Sequence, residues 1–261
     1  MSESAAAPAG AASLGPAWRR RGLALLAGFL CHGTFLVAVS AMFLALRNGL
    51  ALGRGGLHGP AAWAANVALA LQFPLVHSFL LTERGRRLLG RVFGARHGRT
   101  LAPTTYAWSA ALQILTTFLL WSPSGTVWWH PTGAAALALH ALYASAWLFL
   151  GKALLDGGLG LQTGWIGWTA LWRGGKARFP AMPERGLFAV CRQPIYLGFA
   201  LTLWTGPVWT PDRLLLAGLW TLYCVVGPLK KEQRYRKMHG EAFAEYQRRV
   251  PYMLPARRPA A

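Results

Sequence analysis

The stretch Gly22–Leu46, GLALLAGFLCHGTFLVAVSAMFLAL, follows Arg19-Arg20-Arg21 and contains no Asp, Glu, Lys or Arg. A signal-peptide core spans only roughly 7–15 apolar residues, whereas a bilayer crossing takes about 20. The run therefore reads as a first transmembrane helix. Further along, similar runs occupy Ala61–Thr82, Leu101–Trp121 and Thr132–Gly151, and two shorter ones, Tyr196–Trp209 and Leu214–Leu229, form a hairpin with Pro207 and Pro211 at its turn. Six spans result, because proline ends a helix by removing a hydrogen-bond donor. The expected fold is all-α and polytopic, about six transmembrane helices ending in a helical hairpin and a C-terminal amphipathic helix.

Charge supports this division. The 261 residues are 54% hydrophobic and 13% charged, yet carry a net charge of +19. A soluble globule or a disordered tail does not combine these values, since roughly a quarter of a soluble domain is charged. Lys and Arg collect in short cytoplasmic loops. Of the 27 Lys and Arg, 24 fall in alternate inter-span segments and 3 in the others, which puts both termini in the cytoplasm and the chain in the inner (plasma) membrane. Leu154–Trp172 is also apolar but contains Asp156 and a seventh span would invert the C-terminal charge, so it reads as interfacial or re-entrant. With the charges assigned to loops facing membrane lipids, no basic face remains for nucleic acid. Cys31, Cys191 and Cys224 show no metal-ligand spacing and suggest no disulfide framework.

The densest polar information follows Arg185. Arg192-Gln193-Pro194 stands at the mouth of the fifth span, where Pro194 starts a helix whose free N–H groups, with the Arg192 fork, suit an anionic small molecule. Between Lys230 and Val250, Tyr235, Met238, Ala242, Tyr246 and Val250 recur at helical spacing on one stripe, with Glu232–Arg236 and Glu245–Arg249 pairs opposite. A surface-lying basic helix satisfies that pattern. Gly240 interrupts it and indicates a bend or a close backbone approach.

These residues resemble a known family. Arg192-Gln193-Pro194-Ile195-Tyr196-Leu197-Gly198, the hairpin, then Glu232, Gly240, Tyr246 and Val250-Pro251 are similar to the C-terminal signature of integral-membrane methyltransferases, which include isoprenylcysteine carboxyl methyltransferase and phospholipid methyltransferases. Leu75-Val76-His77-Ser78 and Trp204-Thr205-Gly206-Pro207 are more similar to the bacterial methanethiol S-methyltransferase and NnrU-like branch. The resemblance implies an S-adenosylmethionine pocket at the mouth of the fifth span, with a small thiol or an isoprenoid or lipid-like acceptor reaching it from the bilayer. It implies cofactor contacts from Arg192, Gln193, Pro194, Tyr196, Leu197, Gly198, Glu232, Gly240 and Tyr246. Arg192 would hold the cofactor carboxylate or a structural ion pair, Glu232 the ribose hydroxyls or the cationic donor, and Tyr196 and Tyr246 the walls. With Arg192 and Glu232, His77 completes the catalytic set, as a base for a thiol.

Three positions depart from the family pattern: Gln193 replaces a histidine, Lys231 a glutamate and Phe243 a tyrosine. Gln193 cannot take a proton, and Lys231 puts a cation where a carboxylate would favour a sulfonium. Other polar residues in the spans, Cys31, His32, Asn66, Gln72, Gln113 and His140, read as interhelical hydrogen-bonding groups. Two other functions fit the same sequence: a haem-binding membrane protein with His32, His77 or His140 as axial ligands, and a non-catalytic membrane subunit. In domain terms, 1–21 reads as a flexible basic tail, 22–151 as a four-helix membrane region, 152–193 as an interfacial and cytoplasmic connection, and 194–261 as hairpin plus cofactor-binding segment.

Overall fold

In the computed structural model, residues 16–254 are described, so most of the predicted N-terminal tail lies outside the described residues. The chain is an all-α polytopic membrane protein. Its helices are α1 (Ala17–Arg47), α2 (Gly59–Leu80), α3 (Glu83–Val92), α4 (Gly94–Leu120), α5 (Gly133–Asp156), α6 (Leu159–Gln162), α7 (Trp165–Arg173), α8 (Pro194–Thr205) and α9 (Pro211–Arg249), with a 3-10 turn at Gly186–Ala189 before α8. Among the described residues, α1, α2, α5 and α9 are long and apolar enough to cross a membrane. The predicted fifth span, α8, has 12 residues. At 1.5 Å per residue that is about 18 Å, short of a core about 30 Å thick.

Several boundaries differ from the sequence reading. Helix α1 begins at Ala17, so Arg19–Arg21 form its early turns. The basic island after the second span is a helix, α3, because the Thr82 hydroxyl accepts from the Gly85 N–H at 3.2 Å and Glu83 complements the N-terminal dipole. The stretch after α5 makes no seventh span: α7, with 9 residues, packs on α1 and α4 through Leu171, Ala24, Ala27 and Leu101. Leu216, Ala217 and Trp220 of α9 join Met42, Leu46, Phe118, Tyr143 and Leu203 in the main core.

The hairpin turn is pinned by charges that the sequence reading left in a loop. Arg213 is fully buried and donates to the Leu203 carbonyl (3.0 and 2.7 Å), to Val208 O (2.9 Å) and to Leu46 O (3.3 Å). It thereby satisfies carbonyls that helix ends leave unpaired. Asp212 accepts from the Trp121 indole at 2.9 Å and from the Ser124 N–H at 3.0 Å. Polar groups in the spans behave mostly as expected. Asn66 bridges to Ser122, Gln72 to Gln113 and Thr117, and the Trp168 indole donates to His32. The side chains of Gln113 and His140 instead bond within their own helices, the Gln72 bond being to the Gln113 backbone carbonyl. Phe29, Leu36, Leu75, Leu137, Leu148 and Leu222 stay exposed, forming the apolar exterior that lipid covers.

Candidate active site

Helix α9 continues past its apolar part, which ends at Leu229, into a charged segment and turns sharply at Gly240, where φ is +53° and ψ −124°. Only glycine adopts this backbone readily, and no neighbouring atom crowds the position. The bend sends 241–252 back across the mouth of α8. There the Arg192 N–H donates to Pro251 O at 2.9 Å, the Gln193 N–H to Tyr252 O at 3.2 Å, and the Tyr246 hydroxyl to Phe188 O at 2.6 Å.

An ion pair locks this clamp. Arg192 Nε donates to Glu232 Oε1 at 2.9 Å and Nη2 to Oε2 at 3.3 Å, while Nη1 donates to the carbonyls of Gln247 and Val250. Gln193 Nε2 adds a bond to Oε1 at 2.8 Å and Gln247 Nε2 one to Oε2 at 2.6 Å. Both partner side chains are only 10% exposed. Of the two roles offered for Arg192, the geometry is that of the ion pair, with all three of its nitrogens hydrogen-bonded within the protein. Glu232 likewise has both oxygens filled.

Lys231 lies next to this pair. Its ammonium donates to Gln193 Oε1 at 3.3 Å and sits 5.4, 5.8 and 6.0 Å from the ring centres of Tyr235, Phe188 and Tyr196. Burial lowers its pKa from 10.5 to about 8, with the Glu232 carboxylate partly opposing that fall. The Gln193 amide thus accepts from one departure from the family pattern while donating to Glu232. Lys231, Phe188, Tyr235 and Pro183 line two adjoining hollows beneath the non-helical strap 174–185; Arg192, Gln193, Phe243 and Tyr246 border the first, and Gln162 and Ile195 the second. The first has room for about one water and the second for a few, so neither admits a larger molecule without movement of its lining. Burial also raises the Cys191 thiol pKa beside this site.

His77 stands on α2, with its Nε2 2.5 Å from the Tyr106 hydroxyl and its Nδ1 buried without a partner. A run of rings leads from it toward Lys231 without bordering the hollows: Phe73 at 5.0 Å, Tyr223 at 6.0 Å from Phe73, Tyr196 at 6.4 Å from Tyr223, and then the Lys231 ammonium 6.0 Å from Tyr196. Arg234 is near enough to act electrostatically on both His77 and Lys231.

Other predicted residues fall elsewhere. Gly198 packs α8 on α5, since a Cβ there would come within 3.0 Å of Leu150. Pro194 is buried at the α8 start, Leu197 is partly buried beside it, and Gly240 makes the bend without bordering either hollow. The sequence reading passed over Tyr106, Phe188, Gln247 and Tyr252. A tyrosine in an apolar helix carries no distinguishing pattern, and the tail contacts arise from the Gly240 turn. The three histidines considered as haem ligands stand on different helices, with His32 and His77 each hydrogen-bonded to another side chain.

The protein is thus an all-helical membrane body whose tail closes over a short hairpin, with Arg192 paired to Glu232 at the closure. The chain is 29% identical over 205 residues to a methanethiol S-methyltransferase of a Pseudomonas species, covering 77% of this chain and 76% of the relative. It is 27% identical to methanethiol S-methyltransferase 1 of Bradyrhizobium diazoefficiens, covering 74% and 67% respectively. It is also 27% identical to Nurim of Mus musculus, over 62% of this chain and 64% of that protein. No family model and no solved structure matches.

Proposed function

We propose that the protein is an S-adenosylmethionine-dependent methyltransferase of the inner membrane, with both termini cytoplasmic, and that its acceptor is a small thiol. The observation that carries this reading is the closure of the tail over the α8 mouth, which sets Tyr246 beside Arg192, Gln193, Lys231 and Tyr235 around the first hollow, with Glu232 pairing Arg192. The names of the bacterial relatives favour a thiol such as methanethiol over an isoprenoid or lipid-like acceptor. The charge bias of 24 to 3 supports the orientation.

The residues fit such a donor in kind: the Phe188 and Tyr235 rings lining the hollows suit a sulfonium, and the Lys231 ammonium suits a carboxylate. When bound, S-adenosylmethionine supplies an electrophilic methyl group. The protein's own task is alignment and exclusion of water. Phe188, Tyr235 and Tyr246 form the walls, and the Arg192–Glu232 pair holds the tail that closes them. His77, partnered by Tyr106, accepts the thiol proton, since the thiolate is the attacking form. The strap 174–185 yields to admit the donor.

Calorimetry tests the reading directly. Purified protein is expected to bind S-adenosylmethionine with one site per chain, and no heat of binding under conditions that keep the protein folded would refute it. His77→Ala is expected to lower transfer to a thiol by about 10²-fold or more with donor binding retained. Unchanged transfer would remove the base assignment.

A further inference from the structure

The two cations beside the hollows differ in what they have left to give. Arg192 directs its donors at Glu232 and at the carbonyls of Gln247 and Val250. Lys231 has three N–H donors and, among the described residues, one acceptor, Gln193 Oε1 at 3.3 Å. Aromatic rings face it otherwise, and it borders both hollows. A buried ammonium with a single long hydrogen bond is costly, and the neighbouring Glu232 carboxylate, whose oxygens already accept from Arg192, Gln193 and Gln247, offsets that only in part.

We infer that Lys231 is the binding residue for the carboxylate of the methyl donor's amino-acid end, the role that the motif had offered to Arg192. This rests on the methyltransferase reading above. A carboxylate in the hollow would complete the ammonium's hydrogen bonds and cancel its charge. That cancellation removes the conflict between Lys231 and a cationic sulfonium, leaving the rings of Phe188 and Tyr235, which line both hollows, for the positive centre. Gln193 is part of the same device: its carbonyl orients Lys231 while its amide is anchored on Glu232. A histidine and a glutamate at these two positions could not hold an ammonium there. The two departures from the family pattern therefore act as a pair.

The test compares S-adenosylmethionine with its decarboxylated analogue by calorimetry on the full chain in detergent, as wild type, Lys231→Met and Lys231→Arg. Wild type is expected to prefer the carboxylated ligand by about tenfold or more, as a charge-assisted bond implies. Lys231→Met should bring the ratio to near unity, and Lys231→Arg should retain most of it. Both ligands are measured on the same sample, so a partly unfolded variant scales both and leaves the ratio intact; Lys231→Gln serves if the methionine variant cannot be purified. A tenfold preference that persists in Lys231→Met or Lys231→Gln overturns the assignment, as does a wild type that binds both ligands equally. In either case methyl-donor binding itself stands. A wild type that binds neither ligand refutes the methyltransferase reading and the inference with it.

Discussion

Glu232 accepts from Arg192 twice and from Gln193 and Gln247 once each, so its charge serves the clamp. Glu232→Gln leaves the Arg192 guanidinium buried without its anion and is expected to destabilise the protein by about 3–5 kcal/mol, read as a fall in denaturant midpoint. A variant as stable as wild type would show that the pair contributes nothing. Lys231 has the opposite sign. Its folded pKa of about 8 lies below the ordinary 10.5, so the folded state carries a penalty that is full below pH 8 and fades as pH rises toward 10.5. Lys231→Met should therefore gain about 1–3 kcal/mol at pH 7, and that advantage should shrink across pH 8–10.5 in thermal melts. The pairing of Arg192 with the tail was legible in the motif as one of two roles. The orientation of Lys231 was not, since a lysine beside a glutamate in a basic helix has no mark distinguishing a lipid-facing side chain from a buried one.

Among the elements, α9 contributes most to the clamp and the hollows, through Lys231, Glu232, Tyr235 and Tyr246. Thr210, Pro211 and Asp212 start it, with the Thr210 hydroxyl accepting from the Arg213 N–H at 3.0 Å, and Gly240 bends it toward the α8 mouth. Gly240→Ala forces a side chain into a backbone conformation that L residues avoid and should cost about 1–3 kcal/mol. The expected signature is faster proteolysis or hydrogen exchange confined to 241–252, and unaltered protection there would contradict the bend's role. The glycine's interruption of the Tyr235–Val250 stripe made a bend readable in advance. Its direction was not readable, because it depends on Pro251, Tyr252 and Tyr246 meeting Arg192, Gln193 and Phe188 across a long chain separation. Helix α3 was passed over for a related reason: its basic residues masked a 10-residue helix marked only by the Thr82 cap.

Across the whole molecule, apolar runs and alternating charge made the membrane class legible, because the bilayer excludes charge along entire helices rather than at single sites. Short helices escape that signal: α8 is held by Arg213 and α7 by packing on α1 and α4, neither of which hydropathy registers. Cys31, Cys191 and Cys224 are buried and unpaired. A membrane-permeant maleimide is thus expected to label the folded protein slowly and all three thiols after denaturation; rapid labelling of the native form would mean a looser body. The methyltransferase reading as a whole is tested most directly by incubating the purified protein with methyl-labelled S-adenosylmethionine and methanethiol. The expected result is labelled dimethyl sulfide formed with S-adenosylhomocysteine in equal amounts. Protein that remains folded and transfers no label to any thiol offered would contradict it.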